Sequence, residues 1–70
     1  MENFHKACQL IVDNSHKNAV NWAVNYAKYG LTITNEQEAK VQALYILSNI
    51  RCWGGEVARD VRALLKSFTM

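Results

Sequence analysis

Glu38–Phe68, EAKVQALYILSNIRCWGGEVARDVRALLKSF, is the stretch whose reading decides the fold. At about 100° per residue, Ala39, Ala43, Ile46, Leu47 and Ile50 stack along one side of a helix. Val41, Leu44 and Tyr45, continued by the small Ser48, occupy much of the opposite side. A helix that is apolar nearly all round needs cover nearly all round, so the pattern predicts a central helix over about 36–51. Cys52-Trp53-Gly54-Gly55 interrupts the periodicity, and Glu56–Phe68 resumes it with Val57, Val61, Leu64, Leu65 and Phe68 as one stripe. The two glycines permit a tight turn that folds the last helix back onto its predecessor.

Upstream, Phe4, Ala7, Cys8, Ile11 and Val12 share one face of a short helix over residues 3–13. Six polar residues of modest helix propensity follow, Asp13–Asn18. They favour a break, with Ser15 able to cap a helix from His16, over one helix running straight through. The next helix, about 17–29, has a broad apolar arc and a narrow polar row of Asn18, Asn21, Asn25 and Lys28. Gly30 reads as its left-handed stop. Leu31-Thr32-Ile33-Thr34 has no partner strand and reads as a connector whose Leu31 and Ile33 plug the core. Asn35, with Glu38 three residues on, is a cap for the next helix. The expectation is an all-α, compact bundle of three to four short helices in a single domain over residues 1–70, with no sheet.

Seventy residues can bury only about 60% of their unfolded surface, yet 50% of this chain is hydrophobic. Small domains need a staple, and the two cysteines, Cys8 and Cys52, lie far apart with no secretory pattern ahead of them. Reduced thiols, a cytoplasmic setting and homo-oligomerisation are therefore expected rather than a disulfide. The apolar run near the N-terminus spans only Leu10–Val12, too short for a membrane span.

No chemistry-bearing motif stands out. His5 and Cys8 are spaced i, i+3, but zinc needs further ligand pairs that are missing here. There is no phosphate loop, nucleophile elbow or carboxylate pair, so neither enzyme activity nor a metal or cofactor is expected. A net charge of +2 is too mild to argue for nucleic acid by itself. Arg51, Arg59, Arg62 and Lys66 nevertheless form a candidate anion-binding strip, set against the alternative of a solvated face. A helix-turn-helix reading fits that region loosely, because the exposed basic face of the last helix lacks the Asn, Gln, Ser or Thr that read base edges. The candidate interface is Asn18, Asn21, Trp22, Asn25, Tyr29 and Trp53, since aromatics beside amides are the composition of contact surfaces. Within that set, Trp22 reads more readily as core, and Trp53 as a lid over the bundle end.

Residues 21–31, NWAVNYAKYGL, and 41–50, VQALYILSNI, followed by Trp53-x-Gly55-Glu56 and a Val-Arg-x-Leu-Leu-Lys helix, resemble small accessory proteins encoded by bacteriophages and prophages. The resemblance spans residues 18–68 and rests on structural rather than catalytic motifs. It implies the cytoplasm of an infected bacterium and a protein that binds a host macromolecule, as counter-defence and anti-CRISPR-like inhibitors do. It equally allows one that holds nucleic acid or sequesters a nucleotide signal. No site residue is carried over from it.

Overall fold

The computed structural model describes residues 1–69. Four α-helices follow one another: α1 (Glu2–Asp13), α2 (Asn21–Gly30), α3 (Glu36–Asn49) and α4 (Glu56–Thr69), with a 3-10 turn at Asn18–Val20 leading into α2. No strand occurs among the described residues. The all-α bundle read from periodicity is what the chain forms.

The helices pack in a ring. α1 lies against α2 and α4, and α3 lies against the same two neighbours. Each packed pair for which side chains fix the direction is antiparallel. Phe4 meets Phe68, with centroids 5.4 Å apart, across α1 and α4. Tyr26 meets Tyr45, and Tyr29 meets Glu38, across α2 and α3. The core runs through the middle of the ring and is built from Phe4, Cys8, Ile11, Val20, Ile46, Ile50, Val61 and Leu65.

The break after α1 is real, and Asn14 makes it. Its backbone N–H reaches Leu10 and Ile11 carbonyls while its side-chain amide donates to Leu10 O at 2.7 Å. That satisfies carbonyls a continuing helix would have used. Ser15 caps nothing; Lys17, extended at φ −88°, precedes the 3-10 turn, and α2 begins four residues later than expected.

At the start of α3, Asn35 accepts from Glu38 N at 2.9 Å, as the spacing required. The reciprocal half of a capping box is absent, because the Glu38 carboxylate is engaged by Tyr29 instead. Gly55 takes φ +104° and makes the turn into α4.

Three further expectations change. Gly30 is not a left-handed stop: it is the buried last residue of α2, and Leu31 after it is still right-handed at φ −63°. Its use is closeness, since a Cβ there would stand 2.7 Å from Cys8 Sγ. Of the two connector residues, Ile33 enters the core and Leu31 is exposed.

The third change concerns the helix over 36–49, which is not enclosed on both sides. Ala39, Ala43, Ile46 and Ile50 face inward, but Val41, Leu44 and Tyr45 are 47%, 57% and 53% exposed. Its two neighbours, α2 and α4, cover the inward flank and leave the opposite one to solvent. The better-covered helix is α1, which buries Phe4, Ala7, Cys8 and Ile11 completely.

Candidate functional site

On α2 and α3 the small residues point in and the large ones point out. α2 buries Ala23, Ala27 and Gly30 while Trp22, Tyr26 and Tyr29 stand in solvent. α3 buries Ala39, Gln42, Ala43 and Ile46 while Val41, Leu44 and Tyr45 stand in solvent. Alanines on both inward faces let α2 and α3 approach the core closely, and the aromatic bulk is displaced to the outer seam between them. Trp22, expected in the core, is 79% exposed. A core residue of that size would ordinarily bury 150–250 Å².

The seam is ordered by specific contacts. Tyr26 and Tyr45 stack with centroids 5.9 Å apart and planes 19° from parallel. Beneath them the buried Gln42 donates from Nε2 to Tyr26 O at 3.0 Å, joining the two helices through the last-turn side of α2. At one end of the seam, Tyr29 donates its hydroxyl to Glu38 Oε1 at 2.7 Å. Donating that proton to Glu38, and the carboxylate's negative charge, both raise the Tyr29 phenol above its ordinary value. At the other end, Trp22 borders an open groove with Asn18, Ser48, Asn49 and Arg51. Asn18, Asn21 and Asn25 are all exposed along the flank of α2. The surface is therefore an aromatic stripe, edged by amides, with an acid at one end and a base at the other.

Of the four cations proposed for an anion strip, Arg59, Arg62 and Lys66 line one depression on α4, and Arg51 lies apart from them. Arg62 is half-buried, and its guanidinium donates to Ile50 O at 2.8 Å and to Trp53 O. It ties α4 to the end of α3, where unpaired carbonyls and the negative end of the helix dipole favour a cation. Arg51 sits apart, in the groove beside Trp22. Arg59 and Lys66 remain exposed on α4, flanking a shallow depression with Gly55 and Ala63. Arg62 could have been separated from the others in the sequence only by knowing which carbonyls α3 leaves open.

Trp53, one of the candidate interface residues, is 3% exposed and part of the core, so it is a lid and not a contact residue. Its indole N–H is buried without a partner. His5 is half-buried, and its Nε2–H donates to Ile33 O at 2.8 Å, pinning the connector to α1. Cys8, fully buried, has its thiol pushed up to about 12 by desolvation, so it stays neutral and sheltered. No three His, Cys, Asp or Glu residues gather to hold a metal ion among the described residues. No helix there is long and apolar enough to cross a membrane. The sequence reading missed Val41, Leu44 and Tyr45 as surface residues; the signal was the doubled apolar pattern of α3, which it assigned to burial.

No protein-family model matches this chain, and comparison with curated proteins and with solved structures finds no match either.

Proposed function

We propose that this chain is a small accessory protein of the bacteriophage and prophage kind that its sequence resembles, working by non-catalytic binding to a host macromolecule and as a homo-oligomer. The observation that carries this is the outward-facing aromatic stripe of α2 and α3. The accessible surface, 4457 Å², matches the roughly 4,450 Å² of a compact monomer of this mass. The fold is thus not short of burial; it spends exposed area on Trp22, Tyr26, Tyr29, Val41, Leu44 and Tyr45 while the same two helices turn Ala23, Ala27, Ala39 and Ala43 inward. Large apolar patches edged by polar residues are the mark of protein contact. Blocking a host factor by occupancy, as a counter-defence or anti-CRISPR-like inhibitor does, needs such surface and no catalytic group.

The test is affinity capture from bacterial lysate with the wild-type protein and two surface variants. One removes the aromatics (Trp22→Ser with Tyr45→Ser) and the other reverses the α4 charges (Arg59→Glu with Lys66→Glu). A macromolecule held by the wild type and lost by one variant supports the reading and locates the surface. Recovery of nothing beyond the bait would refute it.

A second reading is supported by the depression on α4. There Arg59, Arg62 and Lys66 follow one another along α4 from Gly55, whose missing side chain leaves the backbone open to an approaching anion such as a nucleotide or nucleic-acid phosphate. Binding of that kind falls steeply as salt rises. The Arg59→Glu, Lys66→Glu variant separates it from the first reading, since it should abolish phosphate-dependent binding while leaving contacts of Trp22 intact.

A further inference from the structure

We propose that the occupant of the α2/α3 face is a second copy of this chain, paired about a two-fold axis that lies in the interface and crosses the helices. In that arrangement α3 packs antiparallel to α3 of its mate, and α2 antiparallel to α2. The inference rests on the contact role given above to this face. It deepens that role by naming who fills it.

Area is the first argument. Aromatic side chains expose 150–250 Å² when free, so the six residues of the stripe offer on the order of 600 Å² per copy at their present exposures. Two copies would then bury roughly 1,200 Å², the lower edge of stable, specific interfaces, before the amide rim is added. The patch is thus large enough for a copy of itself without help from any other surface.

Charge chooses the pairing. Glu38 stands at the Tyr29 end of the stripe and Arg51 at the Trp22 end. Glu38 is in the first turn of α3 and Arg51 is in the turn that follows its last residue, Asn49, so the two charges stand at opposite ends of the helix. Two face-to-face arrangements preserve two-fold symmetry. With the axis along the helices, Glu38 would meet Glu38 and Arg51 would meet Arg51, and α3 would lie on α2. With the axis across them, Glu38 of each copy meets Arg51 of the other, twice per dimer. Only the second places unlike charges together, and like charges at an interface select against the wrong pairing.

The same axis arranges the apolar groups. The midpoint between residues 38 and 51 falls at Leu44 and Tyr45, so these side chains meet their own counterparts at the centre. Trp22 of one copy reaches the Tyr29 end of the other, and Tyr26 lies near Tyr26. The largest and most exposed side chain is then covered by an aromatic neighbour. Arg59 and Lys66, on α4, fall outside the interface, so a dimer would present them in duplicate to a host target.

Sedimentation equilibrium of the full chain, with circular dichroism to verify folding, tests the proposal. The wild type should be a dimer, and Leu44→Glu a folded monomer. Glu38→Arg and Arg51→Glu should each raise the dimer Kd tenfold or more, and the two together should return it to within about threefold of wild type. In a Cys52→Ser background, Leu44→Cys should form a covalent dimer on mild oxidation, because the axis brings that position against itself. A wild type that remains monomeric at several hundred micromolar overturns the proposal. So does a dimer indifferent to Leu44→Glu, and so does a charge exchange that fails to restore association. A monomer that captures a host target through Trp22 would overturn the pairing and leave the binding function standing. A dimer with these properties that captures nothing would do the reverse.

Discussion

Gly30, at the end of α2, lies so close to Cys8 of α1 that a Cβ on it would stand 2.7 Å from the sulfur and 3.0 Å from the tip of the Phe4 ring. The α1/α2 contact is closed around a missing side chain. In an exposed helix, replacing Gly by Ala stabilises by about 1 kcal/mol. Here the overpacking should win, because both neighbours are fully buried and have nowhere to move. Gly30→Ala is expected to lower stability by about 1–3 kcal/mol in urea denaturation. Adding Cys8→Ala should recover part of that loss, giving a coupling energy that two independent sites would not show.

Arg62 should matter to folding more than its place on a mostly polar helix face suggests. Its guanidinium serves the carbonyls of Ile50 and Trp53, which close the α3/α4 turn. Truncation to Ala leaves the Trp53 carbonyl without this donor and Ile50 O with only its bond from Trp53 N–H, at a cost of about 2 kcal/mol. Arg62→Lys should restore only part of it, since a single ammonium lacks the fork that spans two carbonyls. Arg59→Ala, on the same helix but exposed, should change stability by less than about 0.5 kcal/mol. Thermal denaturation of the three variants side by side checks the ordering.

The two thiols should separate cleanly. Cys52 is exposed and Cys8 is buried, so a thiol reagent added to the native protein should label one equivalent promptly and the second only after denaturant is added. Rapid labelling of both without denaturant would contradict the packing of α1.

Burial of Cys8 also gives a signed pH dependence. Its thiol is raised from 9.0 to about 12 in the folded state. Below pH 9 the thiol is protonated in both states and contributes no slope. As pH rises from about 9 towards 12, the unfolded chain ionises and the folded one does not, so stability falls. The slope from this one group approaches 1.4 kcal/mol per pH unit at most. Other groups titrate in the same range, so the measurement is the difference between wild type and Cys8→Ala across pH 8–11. The wild type should lose stability faster.

Asn35 caps α3 with its side chain, which accepts from Glu38 N. Asn35→Ala should cost about 1 kcal/mol, and Asn35→Asp should cost almost nothing, because the carboxylate accepts the same N–H and suits the positive end of α3. Chemical denaturation of both variants distinguishes the cap from a general effect of changing a surface residue.

The sequence by itself determined the all-α class, three to four helices with approximate limits, and the inward stripe of α4. Each of these is a local property, since helical periodicity, the Asn35–Glu38 spacing and the Gly54-Gly55 interruption act within a few residues. The break after Asp13 was legible for the same reason, as a run of residues that bond their own backbone. Tertiary structure alone decided which apolar side is inside. On α3 the pattern marks two opposite flanks, and nothing local ranks Ala39, Ala43 and Ile46 above Val41, Leu44 and Tyr45. The ranking comes from how closely α2 and α3 can approach the core, which favours alanine within and aromatics without. Only packing likewise separated Arg62, drawn to the carbonyls at the end of α3, from Arg59 and Lys66, which it leaves in water.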